Sequence, residues 1–191
     1  VDPTCQAPIK APNVVSALDL GAERDHDVEE ESGGGKFGAK LTKIVSNVQN
    51  IVKDGDRVIV FVQFQDLKDK VAEALESKGV RTLQVKGTVQ SQVKALDVLQ
   101  KEKPDKSDPR VLLLTMDDES SAGVNLTTCN HAIFVHPLLA NTKQQYDAYE
   151  TQAIGRIRRY GQVKTVHIWR YLADDTIDTE IYNERCGDNG V

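Results

Sequence analysis

Short, unbroken apolar runs alternating with stretches of helical period are the strongest constraint this chain places on its own fold. Residues 57–62 (RVIVFV), 111–114 and 132–135 are continuous apolar runs, the pattern of strands covered on both faces. Ahead of the first run, Leu41, Ile44, Val45, Val48, Ile51 and Val52 recur at helical spacing, with Gly55 as a stop. Leu67, Val71, Ala74 and Leu75 mark a second helix, stopped by Gly79. Val93, Leu96, Val98 and Leu99 mark a third, ended before Pro104. Further strands are expected at residues 80–85 and 163–171, a long helix over about residues 143–160, and a final helix over 176–185. Strands alternating with helices mean βαβ units, hence an α/β fold with a mainly parallel sheet flanked by helices. Ligands of such sheets sit beyond the carboxyl ends of the strands, so chemistry is expected just after each one.

Composition sets the outer limits. A chain of 191 residues can bury one good core, and 39% apolar with 28% charged residues is ordinary for a globular domain. No apolar run approaches the ~20 residues of a membrane-spanning helix, so no membrane partner is expected. The start, Val1-Asp2-Pro3, has neither an initiator methionine nor the basic and apolar regions of a signal peptide, and the chain is expected to be a piece of something longer. Residues 1–38 read as a linker or partly disordered tail. They hold Pro3, Pro8 and Pro12, an acidic run from Asp25 to Glu31, and a Ser-Gly-Gly-Gly step at 32–35. Val14, Val15, Leu18 and Leu20 suit a short docked segment within it. The domain proper is expected over 39–186, with 187–191 as a tail.

Three cysteines, Cys5, Cys129 and Cys186, are too few and too far apart for a disulfide framework. Cys129 and His131 are expected on one strand face with His136 on the other. No fourth ligand accompanies them, so no structural zinc site is expected. The net charge of −5 argues against a surface that is basic throughout. The charge is uneven, however: acids crowd 23–31 and 117–119, arginines 156–159.

The most informative segment is 152–162, QAIGRIRRYGQ. On a continuous helix Gln152, Arg156 and Arg159 fall at i, i+4 and i+7, which is one stripe, with Ile154 and Ile157 turned to the core. Gly155 would leave room beside Arg156, and Gly161 can take the left-handed conformation that ends a helix. Two guanidiniums and an amide on one stripe suit a polyphosphate, because guanidinium is permanently charged and donates paired hydrogen bonds to phosphate oxygens. Arg-x-x-Arg alone would equally suit a solvated basic face, and Tyr146, Asp147 and Glu150 just upstream read as solvated helix residues.

The full string resembles the sixth motif of superfamily-two helicases, in the form used by SWI/SNF-type ATPases: Gln-Ala-x-x-Arg-x-x-Arg-x-Gly-Gln. The resemblance implies a three-layer RecA-like second lobe. In it Arg156 and Arg159 are catalytic residues facing the ATP γ-phosphate across a cleft, Arg159 as arginine finger, with Gln152 supporting the same site. The family usually has His where Arg158 stands. Residues 111–126 (VLLLTMDDESSAGVNL) resemble the fifth motif. Gly123 and Asn125 match it as ATP-site residues, and Ser120 and Ser121 stand where paired glycines are common, facing DNA. The acids Asp117, Asp118 and Glu119 are unusual there and would repel a DNA backbone. Residues 57–64 resemble the fourth motif, which makes Gln63 and Phe64 DNA-binding candidates; a packed aromatic beside a capping amide would read the same. Residues 84–88 (QVKGT) resemble a strand-end element that touches the DNA backbone through Lys86, Gly87 and Thr88. The stretch 130–141 carries His136-Pro137 in place of the usual tryptophan-rich turn, a variant similar to the branch with an inserted RING-type zinc module. Cys5 would fit the end of such a module or a plain linker.

This resemblance covers about residues 40–185. It implies a nuclear parent protein that binds ATP and magnesium between two lobes and moves along duplex DNA, with the N-terminal RecA-like lobe of the same chain as partner. Nucleosomes or ubiquitin-pathway proteins are further partners it suggests. The chain has no Gly-x-x-x-x-Gly-Lys-Thr/Ser loop and no Asp-Glu-x-His magnesium motif, so this lobe alone is expected to bind no cofactor and to be inactive. Two alternatives stay open: a catalytically degenerate interaction module, suggested by the acidic loop, and a lobe of a superfamily-two RNA helicase. A small-molecule enzyme has no acid–base or nucleophile constellation to rest on.

Overall fold

The computed structural model describes residues 36–85, 89–101, 105, 107–116 and 126–186. Five strands form one sheet in the order β2-β3-β1-β4-β5. These are β1 (Val58–Val62), β2 (Thr82–Gln84), β3 (Val111–Thr115), β4 (His131–Phe134) and β5 (His167–Arg170). Every pairing is parallel, with Val58 opposite Val111 on one side and His131 on the other. The central strands are buried along their whole length, as their unbroken apolar runs require.

Strand alternation sorts the core into two layers. Val58, Val60, Val62, Leu113 and Ile133 face α1 (Gly38–Lys53) and α2 (Gln65–Ser77). Ile59, Phe61, Leu112, Leu114, Ala132 and Phe134 face the opposite layer, with α3 (Val89–Gln100) and α4 (Lys143–Gly155). The last helix, α5 (Ile177–Cys186), joins the two sides. Asp178 pairs with Lys40 of α1, and Lys143 Nζ at the start of α4 donates to the Arg185 carbonyl at 2.7 Å. This is the expected three-layer α/β architecture. Among the described residues, no helix is long and apolar enough to cross a membrane.

The stops foreseen at Gly55 and Gly79 are built the same way. After α1, Gly55 N–H donates to Val52 O and Asp56 N–H to Ile51 O; after α2, Gly79 N–H donates to Glu76 O and Val80 N–H to Leu75 O. Both glycines have positive φ, +88° and +76°. That paired closure needs a left-handed residue, which glycine adopts without strain. The strand expected over 80–85 is confined to Thr82–Gln84, and the one over 163–171 to His167–Arg170.

The α4 segment departs most from expectation. The helix stops at Gly155 and does not reach residue 160. Its N-terminus is fixed by Thr142, whose hydroxyl accepts from Gln145 N–H at 3.1 Å, while the Gln145 side chain accepts from Asn141 N–H at 3.0 Å. At its C-terminus the ladder tightens: Arg156 N–H donates to Ala153 O at 3.3 Å and Ile157 N–H to Ile154 O at 3.0 Å, three residues back instead of four. Arg156 O accepts from Leu126 N–H at 3.1 Å, and Ile157 O from the Gln162 amide at 3.3 Å. Upstream, Tyr146 is buried and Glu150 is paired with Arg170, so neither is a solvated residue; Asp147 is exposed.

Candidate functional site

Two places on the sheet present functional candidates, at opposite edges. At the carboxyl edge, β1 is followed by a helix on one face and its neighbour β4 by a helix on the other. That divergence is a topological switch point, where open α/β sheets place ligands. Beside it the chain's own polar groups bond to one another. The Gln63 side chain donates to Leu139 O at 2.8 Å and accepts from Leu139 N–H at 2.7 Å. Gln63 N–H donates to His136 Nε2 at 3.2 Å, and His136 Nδ1 lies 2.8 Å from the Pro137 carbonyl. One tautomer satisfies both contacts: Nδ1 donates and Nε2 accepts. Burial holds the His136 imidazole below its usual value. Phe64 is not a core aromatic. It is 49% exposed, caps the start of α2 and stacks on His136 with ring centroids 5.8 Å apart. Beside it runs an open groove of about 330 Å³ between α1, α2 and α5.

The arginine segment lies at the amino edge. The Gln162 amide donates to Cys129 O at 2.8 Å, two residues ahead of β4, and His167 N–H donates to Asn130 O at 2.8 Å. Lys164 Nζ reaches Asp56 Oδ1 at 2.5 Å, just ahead of β1. Because α4 ends at Gly155, Gln152, Arg156 and Arg159 do not form one helical stripe. Gln152 is exposed on α4, Arg156 is only 6% exposed, and Arg159 is exposed on the turn beyond. Ile154 and Ile157 are buried in the core as expected. Among the described residues, nothing beyond its chain neighbours and its own helix lies within 4 Å of where a Gly155 side chain would sit. Gly161 has φ +95°, but it closes the turn and not the helix.

The turn is held from beneath. Leu126, the residue that follows Gly123-x-Asn125, donates its N–H to Arg156 O. Gln162 bonds Cys129 and Ile157 through its Nε2, and its Oε1 accepts from Lys164 N–H at 3.0 Å. Lys164 ends on a partly buried polar network. Asp56 accepts from Asn130 at 2.8 Å and from Lys164, and contacts His131 Nε2 at 3.3 Å. Burial alone would raise the Asp56 carboxyl; the hydrogen bonds from Asn130, Lys164 and His131 outweigh it and hold it at about 2. Trp169 Nε1 donates to His131 Nδ1 at 3.0 Å, so the proton of the neutral ring sits on Nε2, toward Asp56. Burial keeps the His131 imidazole below its usual value, against the pull of Asp56.

Further out, Arg170 of β5 grips Glu150 of α4 with two bonds, at 2.7 and 2.9 Å. Burial would lower that guanidinium; Glu150 more than offsets it. The pair ties the helix that carries the arginine turn to the edge strand.

Lys86, Gly87, Thr88, Ser120, Ser121, Gly123 and Asn125, the acids at 117–119, Cys5 and the tails 1–35 and 187–191 lie outside the described residues. Cys129 does not share a face with His131. β4 begins at His131, and Cys129 N–H turns back to Leu126 O, so strand alternation does not reach it. Its thiol packs in the α3/α4 layer, where burial pushes it up to about 12. Among the described residues no group of His, Cys, Asp and Glu side chains is arranged to hold a metal ion.

A five-stranded parallel sheet with helices on both faces is the architecture of a RecA-like lobe. The known proteins agree. The family model "Helicase conserved C-terminal domain" matches residues 39–161, and the chain belongs to that family. It is 47% identical over 95% of its length to a DNA (cytosine-5-)-methyltransferase, DMT5, of Cryptococcus neoformans var. grubii serotype A, and covers 7% of that protein. It is 31% identical over 75% of its length to the DNA repair protein RAD5 of Yarrowia lipolytica, covering 13% of it. The chain thus spans a small part of the curated relatives it matches. The crystal structure of the C-terminal part of the Fun30 ATPase domain shares the fold, with a TM-score of 0.65 at 20% identity over 78% of this chain and 45% of that one. Together these make the chain a helicase C-terminal lobe of the SNF2 (SWI/SNF-type) family.

Sequence reasoning assigned no role to Leu126, Gln162 or the Asp56–His131–Trp169 network. Gln162 carried a signal, as the last residue of the motif string. The network carried none, since its members are far apart in the chain and meet only across β1, β4 and β5.

Proposed function

We propose that this lobe completes an ATP site in a DNA-dependent ATPase, with Arg159 as the arginine finger. The observation that carries this reading is the exposed Arg159 guanidinium on a turn whose backbone is bonded from below by Leu126 and Gln162. A positioned guanidinium offsets the charge that develops on a transferring phosphoryl group, an effect of ~10³–10⁵ in rate. Arg156, buried at the end of α4, shapes the turn more than it reaches out of it. Gln152, Gly123 and Asn125 complete the lobe's share of the nucleotide site. ATP and magnesium bind at the cleft with the N-terminal lobe of the parent chain, which supplies the phosphate loop this sequence lacks. Phe64 with Lys86, Gly87, Thr88, Ser120 and Ser121 contributes to a duplex-DNA surface, and Gln63 fixes the loop beside it. The parent works in the nucleus, on DNA packaged with nucleosomes.

The likeness to a DNA (cytosine-5-)-methyltransferase favours a more particular parent. In it, ATP-driven movement on DNA and methyl transfer to cytosine share one polypeptide, and the lobe pair delivers DNA to the methylating site.

The test is the intact parent carrying Arg159→Ala. DNA-stimulated ATP turnover is expected to fall by ~10³-fold or more with unchanged thermal stability, because the side chain is exposed. Turnover near wild type would overturn the reading. Stimulation by RNA and not by duplex DNA would move the lobe to the RNA helicases. Methyl transfer that proceeds equally well without ATP would remove the coupling to methylation.

A further inference from the structure

We propose that Tyr160 and Val163, which flank the arginine turn, form an apolar seat against the N-terminal lobe of the same parent chain and thereby set the reach of Arg159; this rests on the reading of Arg159 given above. Tyr160 is 102% and Val163 94% exposed, the highest values among the exposed large apolar side chains of the described residues. They stand on fixed backbone. Ile157 is buried on one side of Tyr160; on the other, Gln162 donates its N–H to Arg159 O at 3.1 Å and its amide to Cys129 O. Gly161 makes the left-handed bend between them. Just beyond, Lys164 is tied to Asp56. The turn's polar groups are therefore satisfied inward, while its two apolar side chains point away from the core.

A rigid turn with exposed apolar tips is a preorganised contact, since little ordering remains to be done on docking. Tyrosine combines a large apolar face with few rotatable bonds and is enriched where interfaces concentrate their energy. The chemistry of the pair selects the partner. Valine can neither pair with a phosphate nor stack on a base, and the nearby lysine is engaged by Asp56, so the pair suits an apolar protein surface better than a DNA backbone. Arg159 immediately precedes Tyr160, and a finger that meets the nucleotide across a cleft brings its neighbours onto the opposing lobe. A contact made only when the cleft closes would be felt in the rate and not in the affinity for ATP. Tyr160 would thus be a positioning residue.

The experiment uses the full-length parent with duplex DNA. Tyr160→Ala is expected to lower DNA-stimulated kcat about tenfold while KM for ATP stays within about twofold, and Tyr160→Phe to restore the rate. Thermal stability should not change, because the side chain touches no core. A photoreactive benzoylphenylalanine placed at position 160 is expected to crosslink to a peptide of the N-terminal lobe, more strongly with a non-hydrolysable ATP analogue than without. Unchanged kcat in Tyr160→Ala, crosslinks to DNA, or crosslinks that miss the N-terminal lobe would each overturn the inference. Its failure is separable from that of the underlying reading. If Arg159→Ala abolishes turnover while Tyr160→Ala is silent, only the seat is lost; if Arg159→Ala is active, the finger itself is.

Discussion

The two edges of the sheet spend their polar residues differently. At the carboxyl edge Gln63 and His136 turn inward and bond the chain to itself beside the switch point that fold rules favour for a ligand. At the amino edge Gln162 and Leu126 do the inward bonding, and that leaves Arg159 and Tyr160 on the surface of a fixed turn. The same kind of interaction, a side-chain amide meeting backbone, holds a loop at one edge and displays a turn at the other. What the anchoring leaves exposed therefore differs between the edges: Phe64 at one, Arg159 and Tyr160 at the other.

The largest expected effect separates chemistry from stability. Arg159→Ala in the parent should remove ~10³-fold or more of DNA-stimulated turnover without moving the melting temperature. If melting falls too, the turn is less independently anchored than its hydrogen bonds indicate. Next comes the brace behind the turn. Glu150→Ala leaves Arg170 buried without its carboxylate and should destabilise the domain by ~3 kcal/mol, read by denaturant unfolding. A loss below about 1 kcal/mol would show that apolar packing alone holds α4. At the opposite edge, Gln63→Ala strips two bonds from the Leu139 backbone and should cost about 2 kcal/mol, with little direct effect on ATP turnover. A large turnover defect at unchanged stability would instead give Gln63 a part in binding and erase the contrast between the edges.

The smallest effect is a pH dependence. His131 and His136 are held below the usual 6.5 by burial, so on acidification the unfolded chain takes up protons first. Stability should be full above about 6.5 and decline as pH falls through the depressed folded values. Asp56, lowered from 3.8 to about 2, adds a second loss below about 4 with the same sign. Melting curves across pH 3–8 should show both, and Asp56→Asn should diminish the lower step and deepen the upper one, since His131 then loses the pull of Asp56. A stability that rises on acidification below 6.5 would contradict the burial of both imidazoles.

Much of this was legible in local sequence. The apolar runs of β1, β3 and β4 report strands buried on both faces, and Gly55 and Gly79 report helix ends, because each signal depends on a few adjacent residues. The string from Gln152 to Gln162 identifies the family by itself. Its geometry was not legible. Helical spacing put Gln152, Arg156 and Arg159 on one stripe, but spacing assumes that each carbonyl is free to continue the ladder. Here the N–H groups of Arg156 and Ile157 reach carbonyls three residues back, and Leu126 and the Gln162 side chain bond the next two carbonyls, so the regular helix stops at Gly155, with Arg156 buried and Gln152 and Arg159 exposed.

The sequence alone therefore determined that this chain is a helicase-type α/β lobe, since periodicity and motif spacing are properties of neighbouring residues. Only the tertiary structure decided that Arg156 is buried while Arg159 and Tyr160 stand exposed, and that the turn rests on Asp56, His131 and Trp169. Those outcomes depend on hydrogen bonds between residues distant in the chain, formed only once parallel pairing brings the amino ends of β1, β4 and β5 together.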